Sequence, residues 1–188
     1  MGPKKSSLQS KTMVALLRGI NVGGKHRLPM PQLAEIFAEA NCTQVRTYIQ
    51  SGNVIFCAAP SVVEGISACI ARKIEQRFGF ASPVVLRTAE QMARTVRDNP
   101  FLRAGVPAQT LHVYVLADLP DAGAVKYLDP ERSVPDAFRV LDQQIYLHLP
   151  NGMARTKLTN AYFDSKLSTV STARNWATVL ALLELMQA

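Results

Sequence analysis

The sequence predicts an α+β protein made of two tandem ferredoxin-like (βαββαβ) subdomains with extra helices. Three observations carry that expectation. Hydrophobic periodicity switches between strand-like and helix-like stretches in the order βαββαβ across residues 12–88. The same order returns from residue 110 to about 171, with negligible identity between the halves, so the repeat is one of topology alone. A chain of 188 residues is also long enough for two small cores, each near the lower size that sustains itself.

The elements follow in order. The first eleven residues, MGPKKSSLQSK, carry cations but no apolar stretch, which marks a disordered tail rather than a secretory signal. Residues 12–17 are a short apolar run ended by Gly19, as expected of a buried strand. Pro31 suits the first position of a helix, and Leu33, Ile36, Phe37 and Ala40 supply its apolar stripe up to Asn41. Residues 43–50 alternate, Val45, Thr47 and Ile49 against Arg46, Tyr48 and Gln50. The turn Ser51-Gly52-Asn53 then joins them to an apolar strand at 54–57, giving a hairpin. Ser61 caps a helix bearing Val62, Ile66, Ile70, Ile74 and Phe78, and Gly79 closes it. A strand at 83–88 and a helix at 89–98 that stops before Pro100 complete the first half.

In the second half the pattern predicts a strand at 110–116 and a helix at 120–128. A hairpin of 137–141 with 145–149 turns at Asp142-Gln143. A helix at 157–167, a short strand near 169–171 and a final helix at 174–186 follow. The expected divisions are a tail at 1–11, one subdomain at 12–100 and a second at 101–188.

Composition narrows the function classes. Apolar residues make up 48% and mean hydropathy is +0.05, and the longest apolar runs fall far short of the ~20 residues that span a bilayer. No membrane partner is expected. Cys42, Cys57 and Cys69 show no C-x-x-C spacing, which suggests a reducing, cytoplasmic compartment and no zinc. His26, His112 and His148 are scattered, and no paired carboxylates occupy the polar segments, so neither a metal nor a cofactor is expected. The formal charge of +7 is uneven: residues 1–99 hold 13 Lys/Arg and 6 Asp/Glu, residues 100–188 hold 8 of each. An anionic partner for the first half accounts for that asymmetry, and a merely solvated basic surface is the plain alternative.

The densest polar cluster is Arg18-Gly19-Ile20-Asn21-Val22-Gly23-Gly24-Lys25. Its G-x-x-x-x-G-K spacing matches a P-loop in letters only. His26 stands where a Ser or Thr should hold magnesium, and Pro29 and Pro31 delay the helix that should face the phosphates. An anion or polar-ligand loop of another kind is the favoured reading, ahead of a bare strand-to-helix connector. The βαββ order brings this loop and the 50–53 turn to one sheet edge, with Arg46 and Tyr48 nearby. Arg174 is expected in the first turn of the last helix, behind a Ser171 or Thr172 cap, where a cation opposes the helix dipole unless an anion is bound. On that ground Arg18, Lys25 and Arg174 are expected to share a site, with an ion pair for Arg174 as the alternative.

Six blocks in order, ALLRGINVGGK, RTYIQSGNVIF, Asn99-Pro100-Phe101, HVYVL, PNGMARTKL and TARNWATVLALL, resemble the bacterial domain of unknown function 1697 family, over about residues 13–185. The resemblance implies two ferredoxin-like subdomains in a cytoplasmic protein and brings no established activity, substrate or cofactor. The chain has Thr156 where the family has Ser, keeping the hydroxyl, and Ala177 where it has Asn, losing one polar contact. The residues carried over are Arg18, Asn21, Gly23, Gly24, Gln50, Ser51, Asn53, Lys157, Arg174 and Asn175; charge and position add Lys25 and Arg46 as ligand-binding candidates.

These segments are rich in anion-holding groups and poor in bases and nucleophiles. The expected function is therefore binding of an anionic ligand, nucleic acid or a phosphorylated metabolite, by a monomer or homodimer. The alternatives are a transferase or hydrolase acting on a phosphorylated small molecule, or a structural dimerisation module. Base stacking in the manner of an RRM is disfavoured, because residues 13–17 hold no aromatic and the third strand holds only Phe56.

Overall fold

The computed structural model describes residues 10–188. Most of the expected tail lies outside the described residues, and Lys11 already opens the first strand. The protein is mixed α+β, with two four-stranded antiparallel sheets. The chain divides into two compact units, residues 1–88 and 89–188.

The first unit runs β1 (Lys11–Leu17), α1 (Met30–Glu39), β2 (Thr43–Tyr48), β3 (Asn53–Ala58), α2 (Pro60–Phe78) and β4 (Val84–Thr88). Its sheet has the order β2-β3-β1-β4. β1 is interior, paired antiparallel with β3 and β4. All its residues from Met13 to Leu17 are buried, which is why it reads as an unbroken apolar run instead of an alternating one. Met13, Ala15 and Leu17 pack with Leu33, Ile36 and Phe37 of α1 and Ile66, Ile70 and Ile74 of α2 in one core. Phe37 meets Phe56 at 5.1 Å between ring centroids.

The second unit opens with α3 (Ala89–Arg97), α4 (Pro100–Arg103) and a 3-10 turn at Ala108–Thr110. It continues with β5 (Leu111–Leu116), α5 (Ala122–Lys126), β6 (Ala137–Leu141), β7 (Gln144–His148), α6 (Asn160–Leu167), β8 (Ser171–Asn175) and α7 (Trp176–Gln187). Its sheet repeats the first in the order β6-β7-β5-β8. Tyr114, Ile145, Leu147, Tyr162 and Phe163 form its core, where Phe163 has the rings of Tyr114, Phe138 and Tyr162 edge-on around it.

The two sheets share a detail finer than strand order. Across the first, Arg46 pairs with Ile55, Ile55 with Val14 and Val14 with Arg87. Across the second, Arg139 pairs with Tyr146, Tyr146 with Val113 and Val113 with Arg174. Each row thus begins and ends in arginine. The β2 and β6 arginines are exposed, whereas Arg87 and Arg174 are buried at 3% and 7% exposure. Burial lowers both guanidinium pKa values to about 10.

Several boundaries differ from the expectation. Residues 89–100 belong to the second unit, so the division falls a dozen residues earlier than 100. The helix expected at 157–167 begins at Asn160, because Thr159 Oγ1 accepts from the Tyr162 amide and caps it there. The helix expected at 120–128 is limited to Ala122–Lys126, capped by Asp121. The largest correction concerns the last strand. Ser171 and Thr172 are not caps, and Arg174 is not in a helix: Ser171–Asn175 pairs with Leu116–His112 along its whole length, and Asn175 caps α7 by accepting from the Thr178 amide at 2.8 Å. A five-residue ladder against an interior strand outweighs a local capping preference.

Candidate functional site

The candidate site lies in the first unit, in the loop that follows β1. At its tip the Lys25 amide donates to the Val22 carbonyl at 3.1 Å, and the two residues form an isolated bridge. Gly23 and Gly24 between them have φ of 58° and 74°. Two successive positive φ values make a primed turn, which explains the glycine pair. The amides of Asn21 and Lys25 are committed inside the loop, so two of the donors that a P-loop cradle leaves open are taken here.

Asn21 holds the loop in place. Its Nδ2 donates to the carbonyls of Leu28 and Gln50, both at 2.9 Å, and its Oδ1 accepts from the Leu28 amide at 2.8 Å. Leu17 N donates to Gly52 O at 2.8 Å, so the β1 loop and the β2–β3 turn lie side by side at one sheet edge. The contact leaves no room at Gly52, where a Cβ would sit 2.8 Å from Leu17 Cβ. Asn53 is fully buried and donates to Tyr48 O at 3.1 Å and Ser51 Oγ at 3.0 Å. Farther along, His26 Nδ1 bonds Gly19 O at 3.0 Å and its ring stacks on Phe80 at 4.6 Å. Ser82 Oγ donates to Arg18 O, also at 3.0 Å.

This bracing creates an open cleft of about 560 Å³ lined by Asn21, Gly24, Lys25, Arg27, Leu28, Pro29 and Gln50. Lys25 and Arg27 are exposed and, among the described residues, belong to no ion pair. Arg27 is absent from the sequence candidates because the G-x-x-x-x-G-K spacing ends at the lysine. The signal was present in Lys25-His26-Arg27, two cations flanking a structural histidine. Of the sequence candidates, Asn21, Gly24, Lys25 and Gln50 line the cleft, while Ser51 and Asn53 brace the neighbouring turn. Gly23 lies at the primed turn, Arg18 is half-buried at the loop's start, and Arg46 is exposed on the edge strand β2.

The second-unit candidates do not gather in the same way. Lys157 is exposed, and its backbone is pinned at both ends: its amide donates to Ser133 Oγ at 2.9 Å and its carbonyl accepts from Arg132 Nε at 3.0 Å. Arg132 in turn lies 4.1 Å over the Tyr162 ring. The retained hydroxyl of Thr156 accepts from the Leu158 amide at 3.1 Å, a turn-forming role. Arg174 sits in β8 and donates to Thr172 Oγ1 at 2.8 Å, so the motive for a site shared with Arg18 and Lys25, a cation at a helix N-terminus, is absent.

Among the described residues no group of three or more His, Cys, Asp or Glu could hold a metal ion. Burial, with Cys69 as a lesser cause, pushes the Cys42 thiol up to about 11. No described helix is long and apolar enough to cross a membrane.

These features define a two-unit α+β protein with one four-stranded antiparallel sheet in each unit and a basic cleft at an edge of the first. The chain belongs to the family described as protein of unknown function (DUF1697), whose model matches residues 10–146. No curated protein matches significantly. Among solved structures the chain is similar to a conserved bacterial protein, SP0830, from Streptococcus pneumoniae, with a TM-score of 0.74 and 18% identity over 95% of this chain and 99% of that one. That likeness shows the fold.

Proposed function

We propose that the first unit binds an anionic, phosphate-bearing ligand in the cleft between the β1 loop and the β2–β3 turn. The observation that carries this reading is the lining itself, in which Lys25 and Arg27 stand without a carboxylate beside them. Two cations held near one another in an open cleft repel unless an anion lies between them. The wider field has the same sign: residues 1–88 hold 11 Lys/Arg and 4 Asp/Glu, and residues 89–188 hold 10 of each, so the whole formal excess of +7 belongs to the first unit. The lining has no histidine, cysteine or carboxylate to act as base or nucleophile, which favours binding over a transferase or hydrolase. A volume near 560 Å³ suits a metabolite-sized ligand.

Each unit is read as a ferredoxin-like repeat acting in the cytoplasm. The strand orders β2-β3-β1-β4 and β6-β7-β5-β8, with a helix after the first and third strand of each set, support the fold part.

Calorimetric titration with pyrophosphate tests the binding reading. Lys25→Ala and Arg27→Ala should each weaken binding several-fold, and salt should weaken it in the parent protein. Binding that neither substitution changes would place the anion elsewhere.

A further inference from the structure

The cleft holds more than cations. Gln50 is an exposed residue of its lining, and among the described residues its primary amide makes no hydrogen bond within the protein. Asn21, by contrast, has its amide fully engaged in holding the loop. Exposed Pro29 adds an apolar ring to the same lining, while the Leu28 side chain is buried in the core beneath it. The lining therefore combines charge, an apolar ring and a single donor–acceptor pair.

We infer that the ligand class of this cleft is a nucleotide, with its phosphate on Lys25 and Arg27, its heterocycle against the Pro29 ring, and the Gln50 amide on the base edge. The inference rests on the anion-binding reading above. A bare inorganic anion would use the cations and leave the Pro29 ring and the amide without a role. An amide presents one donor and one acceptor side by side, which matches the paired donor and acceptor on an adenine edge. The cost of closing on such a ligand is small, because the loop is already fixed by Asn21 and the turn by Gly52.

The test compares 5′-AMP with ribose 5-phosphate, which carries the same phosphate and sugar without the base, by titration calorimetry of the full chain. The expected result is AMP at least ~10-fold tighter than ribose 5-phosphate, in keeping with a bidentate amide contact. Gln50→Ala should erase that preference, whereas Lys25→Ala should weaken both ligands. All these side chains are exposed, and a circular dichroism spectrum and melting curve matching the parent's establish that each variant is folded. Equal affinity for the two ligands would overturn the nucleotide assignment and leave anion binding standing. No detectable binding of either, at low salt and millimolar ligand, would overturn both.

Discussion

Asn21 and Gln50 are joined across 29 positions of sequence by one hydrogen bond, from the Asn21 Nδ2 to the Gln50 carbonyl at 2.9 Å. Asn21 also bonds Leu28 twice, so one side chain ties the β1 loop to itself and to the β2–β3 turn. Removing it should loosen the cleft. Asn21 has φ of 54°, so Asn21→Gly isolates the side chain without adding backbone strain. We expect a loss of about 1–3 kcal/mol in urea unfolding, together with weaker anion binding. Stability unchanged to within ~0.5 kcal/mol would contradict the bracing role.

Glycines in these loops should differ sharply in tolerance. At Gly52 an added Cβ meets Leu17 and Ile20 at 2.8–3.0 Å, at a φ of 74°. At Gly24 φ is also 74°, but nothing lies within 4 Å. Gly24→Ala should cost only the left-handed penalty of about 1–2 kcal/mol, and Gly52→Ala should cost about 1–3 kcal/mol more through overpacking. Paired chemical denaturation of the two variants reads the difference directly; equal costs would remove the steric argument.

The acid limb of stability should depend on Glu39. Arg77 and Lys73 hydrogen-bond its carboxylate, Lys73 at 2.9 Å, and hold its pKa at about 2 against an ordinary 4.5. A depressed folded pKa contributes stability that is present above the unfolded value and is lost as pH falls through the folded one. Between pH 5 and 2, therefore, the melting temperature of Glu39→Gln should fall less steeply than that of the parent. Parallel curves would show that the exposed cluster contributes nothing to the acid transition.

Phe163 is the centre of the second core, with three aromatic rings packed on it. Phe163→Ala should cost about 3–5 kcal/mol, the usual range for emptying a buried aromatic site. Differential unfolding monitored at Trp176, which lies in the same unit, would report it.

Much of the fold was legible because the signals were local. The run at Met13–Leu17 and the stripe of Leu33, Ile36 and Phe37 announce their elements without tertiary help. Arg174 was misplaced for the opposite reason: Ser171 and Thr172 look like helix caps, and only the ladder to β5, over fifty residues away, makes them a strand. At the site, topology correctly set the Gly-rich loop beside the 50–53 turn. It could not separate Asn21, which braces the loop, from Lys25, which lines the cleft uncommitted, because that distinction exists only as hydrogen bonds to Leu28 and Gln50.

The most direct test of the anion-binding account is a crystal of the protein soaked in pyrophosphate at a concentration that saturates it in solution. The account predicts ligand density in the cleft, within hydrogen-bond distance of Lys25 Nζ and the Arg27 guanidinium. Density at other basic residues, with the cleft between the β1 loop and the β2–β3 turn empty, would contradict it.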